Sequence, residues 1–404
     1  MLKYRKKQLK EDDSMNAKNS YPLIFVHGMF GWGSSVGIDK YSPYWGATTG
    51  NLMEYMTQKG YEAYAPSVGP VSSAWDCACE LYAQLTGTRV DYGIAHSNKK
   101  LHDRFGRKYD KPLFEGFGEK KIHLIGHSHG GQVIRLLAHL LTYGDERERV
   151  VTRDEDISGL FTGGKEHLIS SVTTICSPNN GTSLYSICEE ANIVAPLGRI
   201  TDFFLAVIGR SFLHERLVDF QLEQYKLTPL RGEKKAGKII TAMNKMRDSD
   251  DHVLTDLSFT GANALNEYIE ISKNINYFCY TSNGLNANNL EPENIKFPLL
   301  KPLCKLIAKR ELPQNQCGIE FNDSWRENDG LVNVPSALNP IDEPAKDFNG
   351  IIEPGIWNKM PVIIGDHGQA GGLMADPDKL HRFYEDLADM LIGTEAEKSL
   401  SEVK

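Results

Sequence analysis

From Tyr21 onward, short apolar runs alternate with longer stretches of helical period. Leu23–Val26 is an unbroken apolar run, the pattern of a strand buried on both faces. Residues 51–58 read as a short helix ending near Gly60, and 61–65 as the next strand. Residues 122–125 form another buried strand, followed by the strongly apolar helical stretch 133–141. Further strands are read at 171–176, 275–280 and 362–364. A last helix takes Asp376 as its cap and Pro377 as its first residue, and sets Leu380, Phe383, Leu387 and Leu391 on one face. Strands alternating with helices predict βαβ units, hence an α/β architecture with a mostly parallel sheet and helices on both faces.

Two stretches break the rhythm. Residues 66–118 are rich in Gly, polar and aromatic residues with little periodicity, and residues 183–260 are mostly helical and unusually apolar in their first half. Within the latter, Ile200, Phe203, Phe204, Val207 and Ile208 recur at helical spacing, with Arg199, Asp202 and Arg210 among them. Such a stripe is most often ordinary core. Its place in a long insertion after the 171–176 strand marks 183–216 instead as a lid over the sheet's active side. The expected organisation is a tail at 1–20, one domain at 21–393 carrying both insertions, and a polar tail at 394–404.

Composition narrows the partners. The chain has 404 residues, 41% of them hydrophobic, and a formal net charge of -8. That charge argues against a nucleic-acid partner, because phosphate binding wants clustered Lys and Arg. No apolar run approaches the ~18 residues of a membrane span. No apolar h-region follows the basic start, so no secretory signal is read and a cytoplasmic site is open. Seven cysteines at irregular spacing include a C-x-C pair at 77 and 79, which is neither a redox nor a zinc-knuckle spacing. Reduced, buried thiols are expected.

Chemistry enters at Gly126-His127-Ser128-His129-Gly130, a G-x-S-x-G pattern. The pattern alone is weak; here it follows a buried strand and opens an apolar helix, the strand-turn-helix context of a nucleophile elbow in an α/β-hydrolase fold. The glycines are needed where a side chain would collide with the neighbouring strand or helix. A serine hydroxyl needs a base, and the base a carboxylate to orient it. In this fold the chain order is Ser, acid, His. His367, on a loop between the last strand and the last helix, is the expected base. His381 lies inside that helix, and His127 and His129 flank the serine too closely to serve as its base. Asp329, followed by Gly330, is the expected acid, with Asp323 and Asp366 as competitors. The oxyanion needs preorganised N–H donors, expected from His129 and from Met29 in the loop after the first strand.

Beyond these residues the sequence resembles a known family, the bacillar and staphylococcal triacylglycerol lipases of bacterial subfamilies I.5 and I.6. The resemblance runs from about 21 to about 392. It is carried by VHGMFGWG (26–33), YWG (44–46), GYEAY (60–64), VDYG-AH (90–96), RFGRKY (104–109), GHSHGGQ (126–132), SVTTICSPNNGT (171–182) and W-ENDGLVN (325–333). It implies hydrolysis of long-chain acyl esters at a lipid–water interface beneath a mobile helical lid. It also implies secretion, against the reading of the chain's own start, and a monomer is expected. Position by position, the family's zinc ligands fall on Asp76, His96, His102 and Asp256, a structural brace for the 66–118 insertion. The family's calcium near the catalytic histidine would use Asp376 and Pro377. There Gln369 stands in place of a glutamate ligand, in a loop longer than the family's pattern, which removes a charge that a hard cation wants. The alternatives are a carboxylesterase, phospholipase or thioesterase of the same fold, or a non-catalytic lipid-binding relative.

Overall fold

A computed structural model describes residues 17–190, 219–226, 241, 244–246, 248–313 and 315–402. The alternating pattern becomes a seven-stranded sheet in which every pairing is parallel. In chain order its strands are β1 (Leu23–Val26), β2 (Ala63–Tyr64), β3 (Ile122–His127), β4 (Ile169–Ile175), β5 (Asn276–Tyr280), β6 (Ala345–Asp347) and β7 (Trp357–Lys359). Side by side they run β6-β7-β5-β4-β3-β1-β2. The predicted strand at 362–364 lies off this sheet: Ile363–Ile364 pairs with Ser282–Asn283 as a separate short ladder.

The helices used below are α1 (Leu52–Gln58), α2 (Ala74–Thr86), α3 (Ile94–Lys100), α4 (His129–Tyr143), α5 (Val253–Leu257), α6 (Phe259–Tyr268), α7 (Leu300–Lys309) and α8 (Pro377–Glu402). Strand side chains alternate between two apolar layers, as the period of a β-strand requires. Ile24, Val26 and Leu124 pack under α2 and α4 with Leu81, Leu136 and Leu140. Leu23, Phe25 and Ile125 pack on the opposite face with Trp45, Leu380, Leu387 and Leu391. Helices cover both faces, so β1, β3 and β4 are buried along their whole length.

Two expected boundaries change, and the first insertion gains elements the pattern did not show. The last helix continues to Glu402, and Thr394 and Glu395 are buried. The Glu395 carboxylate accepts the backbone N–H groups of Ser20 and Tyr21 and meets His123 at 3.1 Å. At the other end the packed fold begins before Tyr21: Asn19 is buried and bonds to the Tyr21 and Glu62 backbone. The 66–118 stretch holds α2, α3 and an antiparallel pair between Arg89–Asp91 and Phe105–Lys108. Helix α2 shows no periodicity because most of its residues are buried on every side, leaving no polar face. The lid residues expected at 199–210 lie outside the described residues.

Candidate active site

Ser128 stands between the end of β3 and the start of α4 at φ 55°, ψ -131°. A non-glycine residue there costs on the order of 1–3 kcal/mol and persists only where its surroundings dictate it. Here the Ser128 N–H donates to the Ile175 carbonyl at 2.9 Å, and the Ser128 carbonyl accepts from Gly131 at 3.0 Å. A Cβ at Gly126 would sit 2.4 Å from the Gly130 carbonyl oxygen, and one at Gly130 would sit 2.3 Å from that of Val26. A third glycine matters as much. A Cβ at Gly28 would lie 2.6 Å from Ser128 Cβ, so the loop after β1 is pressed against the serine. In that loop the Phe30 N–H is spent on the Pro70 carbonyl, whereas the Met29 N–H bonds to no described residue. His129 is the first residue of α4, so its N–H has no acceptor within the helix. Two donors are thereby left beside the serine.

His367 Nδ1 lies 2.8 Å from Asp329 Oδ2, and the His367 N–H donates to the Asp329 carbonyl at 2.9 Å. Asp329 Oδ1 accepts from the N–H groups of Leu331 and Val332, and Oδ2 also accepts from the Ser282 hydroxyl. Both Asp329 and His367 are buried. The competing acids are engaged elsewhere. Asp366 takes four backbone N–H groups, from Gly368, Gln369, Lys296 and Phe297. Asp323 is exposed and pairs with Arg326. His381 stacks on Tyr55. Ser128 and His367 line one cavity of about 320 Å³, whose apolar wall includes Phe30, Trp32, Phe297, Leu300, Leu331 and Leu373. The two are not hydrogen-bonded to each other here; such contacts commonly tighten only when substrate seats. Ser128, Asp329 and His367 are thus brought to one place from three distant loops, an arrangement able to carry out nucleophilic acyl transfer.

A second polar cluster lies in the insertion. Asp76 in α2, His96 in α3, His102 just after it and Asp251 offer ligand atoms all within 4.8 Å of one another. His96 Nε2 is 3.2 Å from Asp76 Oδ1, and His102 Nε2 is 3.2 Å from Asp251 Oδ2. Donors of a tetrahedral metal at bond lengths near 2.1 Å stand roughly 3.4 Å apart. Asp76 Oδ1, His96 Nε2 and His102 Nε2 are buried without a hydrogen-bond partner, the disposition of a ligand set around a cation. The other His102 nitrogen, Nδ1, lies 2.8 Å from the Asp103 carbonyl, which fixes the tautomer that leaves Nε2 free. Gln224 holds Asp76, while Ser73 and Tyr225 hold Asp251. Burial alone would push the His96 ring down, yet the carboxylates of Asp251 and Asp76 hold it up at about 9, so a cation binding here would displace a proton from it. The residues fit a metal.

Asp256, expected as the fourth ligand, is not in this cluster. It sits inside α5, where its carboxylate accepts the Ala74 N–H at 2.7 Å and meets His129 Nε2 at 3.1 Å. Asp251 stands before the His252 cap of α5, which directs it toward the histidines instead. The calcium expectation fares differently. Asp376 Oδ1 accepts the Lys379 N–H, and Pro377 is the first residue of α8. The Gln369 amide oxygen is engaged by the Asp366 N–H in a capping box. A neutral amide oxygen that already accepts one N–H brings a hard cation less charge than a glutamate would.

Residues 19–402 match the family model described as "Lipase-like, C-terminal domain". The chain is 34% identical over 400 residues to a lipase of Staphylococcus hyicus, covering 95% of this chain and 59% of that one. With a Staphylococcus epidermidis lipase it shares 32% over 388 residues, covering 94% and 54%. The chain thus spans little more than half the length of these curated relatives. Among solved structures, Staphylococcus hyicus lipase matches with a TM-score of 0.80 at 32% identity, covering 95% of this chain and 98% of that one. EstA from Clostridium botulinum matches with a TM-score of 0.79 at 33% identity, covering 95% and 89%. With its parallel sheet and its strand-serine-helix turn, the chain has the α/β-hydrolase fold and belongs to the family of lipase-like C-terminal domains.

Proposed function

We propose that this chain is a serine ester hydrolase acting as a triacylglycerol lipase. One observation carries the reading: His367, backed by the buried Asp329, lines the same apolar cavity as a serine held at positive φ. Ser128 Oγ attacks the acyl carbonyl carbon while His367 Nε2 takes its proton. Asp329 stabilises the imidazolium that forms, and the Met29 and His129 N–H groups receive the oxyanion. Collapse of that intermediate breaks the C–O bond to the alcohol, which leaves with the proton from His367. Water, deprotonated by the same ring, then releases the acid from the acyl-serine. The apolar wall suits an acyl chain, which would also exclude water from the reacting carbonyl.

The metal we assign to Asp76, His96, His102 and Asp251 is zinc, from its two imidazoles and two carboxylates. When bound it would supply a cross-link among α2, α3 and the segment before α5. The test of the catalytic reading is turnover of p-nitrophenyl esters and labelling by a serine-reactive phosphonate, with Ser128→Ala as blank. Wild type that neither turns over nor labels ends it. A cavity of about 320 Å³ also suits a small monomeric ester, which favours a second reading, a carboxylesterase. Faster hydrolysis of emulsified long-chain triglyceride than of monomeric ester supports the lipase; equal rates support the esterase.

A further inference from the structure

The proposed chemistry needs three loops in one register: the loop after β1, the turn at Ser128 and the loop carrying His367. A single chain of hydrogen bonds crosses all three. The Gly28 N–H donates to the Tyr44 hydroxyl at 3.0 Å. Tyr44 Oη lies 2.6 Å from His127 Nδ1, and His127 Nε2 lies 3.0 Å from the His367 carbonyl oxygen. Chemistry fixes every direction. A carbonyl oxygen only accepts, so His127 carries its proton on Nε2. A neutral ring then presents a lone pair at Nδ1, to which Tyr44 donates, and the phenol oxygen accepts from Gly28.

We propose that Tyr44 and His127 are positioning residues that lock the oxyanion loop to the loop of the catalytic base. The proposal rests on the catalytic reading above. Its reach comes from where the chain ends. The His367 N–H is already held by the Asp329 carbonyl. With its own carbonyl held by His127, the peptide groups on both sides of the His367 Cα are pinned. At the other end, Gly28 precedes Met29 and touches Ser128, so the same chain sets where the oxyanion donor stands. The His127 and His367 rings are 4.8 Å apart, and a charged His127 would oppose the imidazolium that forms on His367. Burial, and next the neighbouring His367, push His127 well below the usual histidine range, which keeps it neutral.

Tyr44→Phe removes the central hydroxyl and keeps the ring that packs against Trp32 and Trp45. His127→Gln keeps an acceptor and a donor in one side chain, and His127→Leu removes both. On a soluble p-nitrophenyl ester, Tyr44→Phe and His127→Leu are expected to lower kcat about tenfold to a hundredfold at unchanged KM, with His127→Gln recovering most of the loss. Nuclear magnetic resonance of protein carrying ¹⁵N-labelled histidine is expected to show His127 as a neutral Nε2–H tautomer throughout the active pH range. A raised KM at unchanged kcat, a His127→Gln enzyme as impaired as His127→Leu, or an Nδ1–H tautomer overturns the proposal. Wild type inert to esters and phosphonate would instead defeat the catalytic reading and the positioning role with it, while the tautomer still reports whether the bond chain exists.

Discussion

Asp329→Asn isolates the position of a single proton. In the native protein Asp329 Oδ1 takes the N–H groups of Leu331 and Val332, and Oδ2 takes His367 Nδ1–H and the Ser282 hydroxyl. An asparagine keeps its carbonyl oxygen on the two backbone donors, because the flipped amide would aim its NH₂ at both of them. Losing those two bonds would cost about 1–3 kcal/mol each. The NH₂ group then faces His367 Nδ1 and Ser282 Oγ, both of which can accept, so no buried group is orphaned and the fold holds. His367, however, must now carry its proton on Nε2, the atom that should receive one from Ser128. That is the wrong tautomer for the first step. In an enzyme with the same constellation the equivalent change costs about 10⁴ in kcat, equal to roughly 5 kcal/mol of barrier. The assay is ester turnover, beside a thermal melt showing the protein still folded. A folded Asp329→Asn protein retaining a tenth of wild-type kcat would refute the assignment of Asp329 as the orienting acid.

Other expectations are simpler to state. Asp251→Asn is expected to lose bound metal on dialysis while Asp256→Asn keeps one per chain by elemental analysis; the reverse pattern would restore Asp256 as ligand. Gly130→Ala puts a Cβ 2.3 Å from the Val26 carbonyl oxygen and is expected to destabilise by about 3 kcal/mol in urea unfolding. Gly393→Ala, in α8 with nothing within 4 Å of its added Cβ, is expected to stabilise by up to about 1 kcal/mol. His27 is pushed from 6.5 to about 4, chiefly by burial. Below about 6.5 the unfolded chain therefore binds a proton that the folded chain refuses, and stability falls until about pH 4 by up to roughly 3 kcal/mol, then levels. A His27→Gln protein should show a shallower acid limb, and an unchanged slope would exclude His27 as its source.

What the sequence made legible follows from how each feature is encoded. Strand β1 announces itself as an unbroken apolar run, β3 nearly so, and β4, with four of its seven residues Ser or Thr, through its β-branched residues. Strands β6 and β7, reading AKD and WNK, carry no such signal and are held by pairing rather than by composition. Chain order and turn context sufficed to bring Ser128, Asp329 and His367 under one reading, because loops at the carboxyl ends of strands converge in this fold. The choice between Asp251 and Asp256 was not legible. Both lie in DDHVLTD, and only the cap at His252 decides which carboxylate turns toward His96 and His102. Nor was Tyr44, whose partner His127 is 83 positions away and whose motif word said nothing of its hydroxyl.

The Glu395 contact also fixes which end of the sheet is structural and which is chemical. Ser20, Tyr21 and Glu395 meet at His123, near the start of β3, whereas Ser128 follows that strand's far end. Five residues of extended chain put roughly 16 Å between the two levels. The contact between Ser20, Tyr21 and Glu395 is thus anchored at the floor of the sheet, and the serine stands at the opposite end of the same strand.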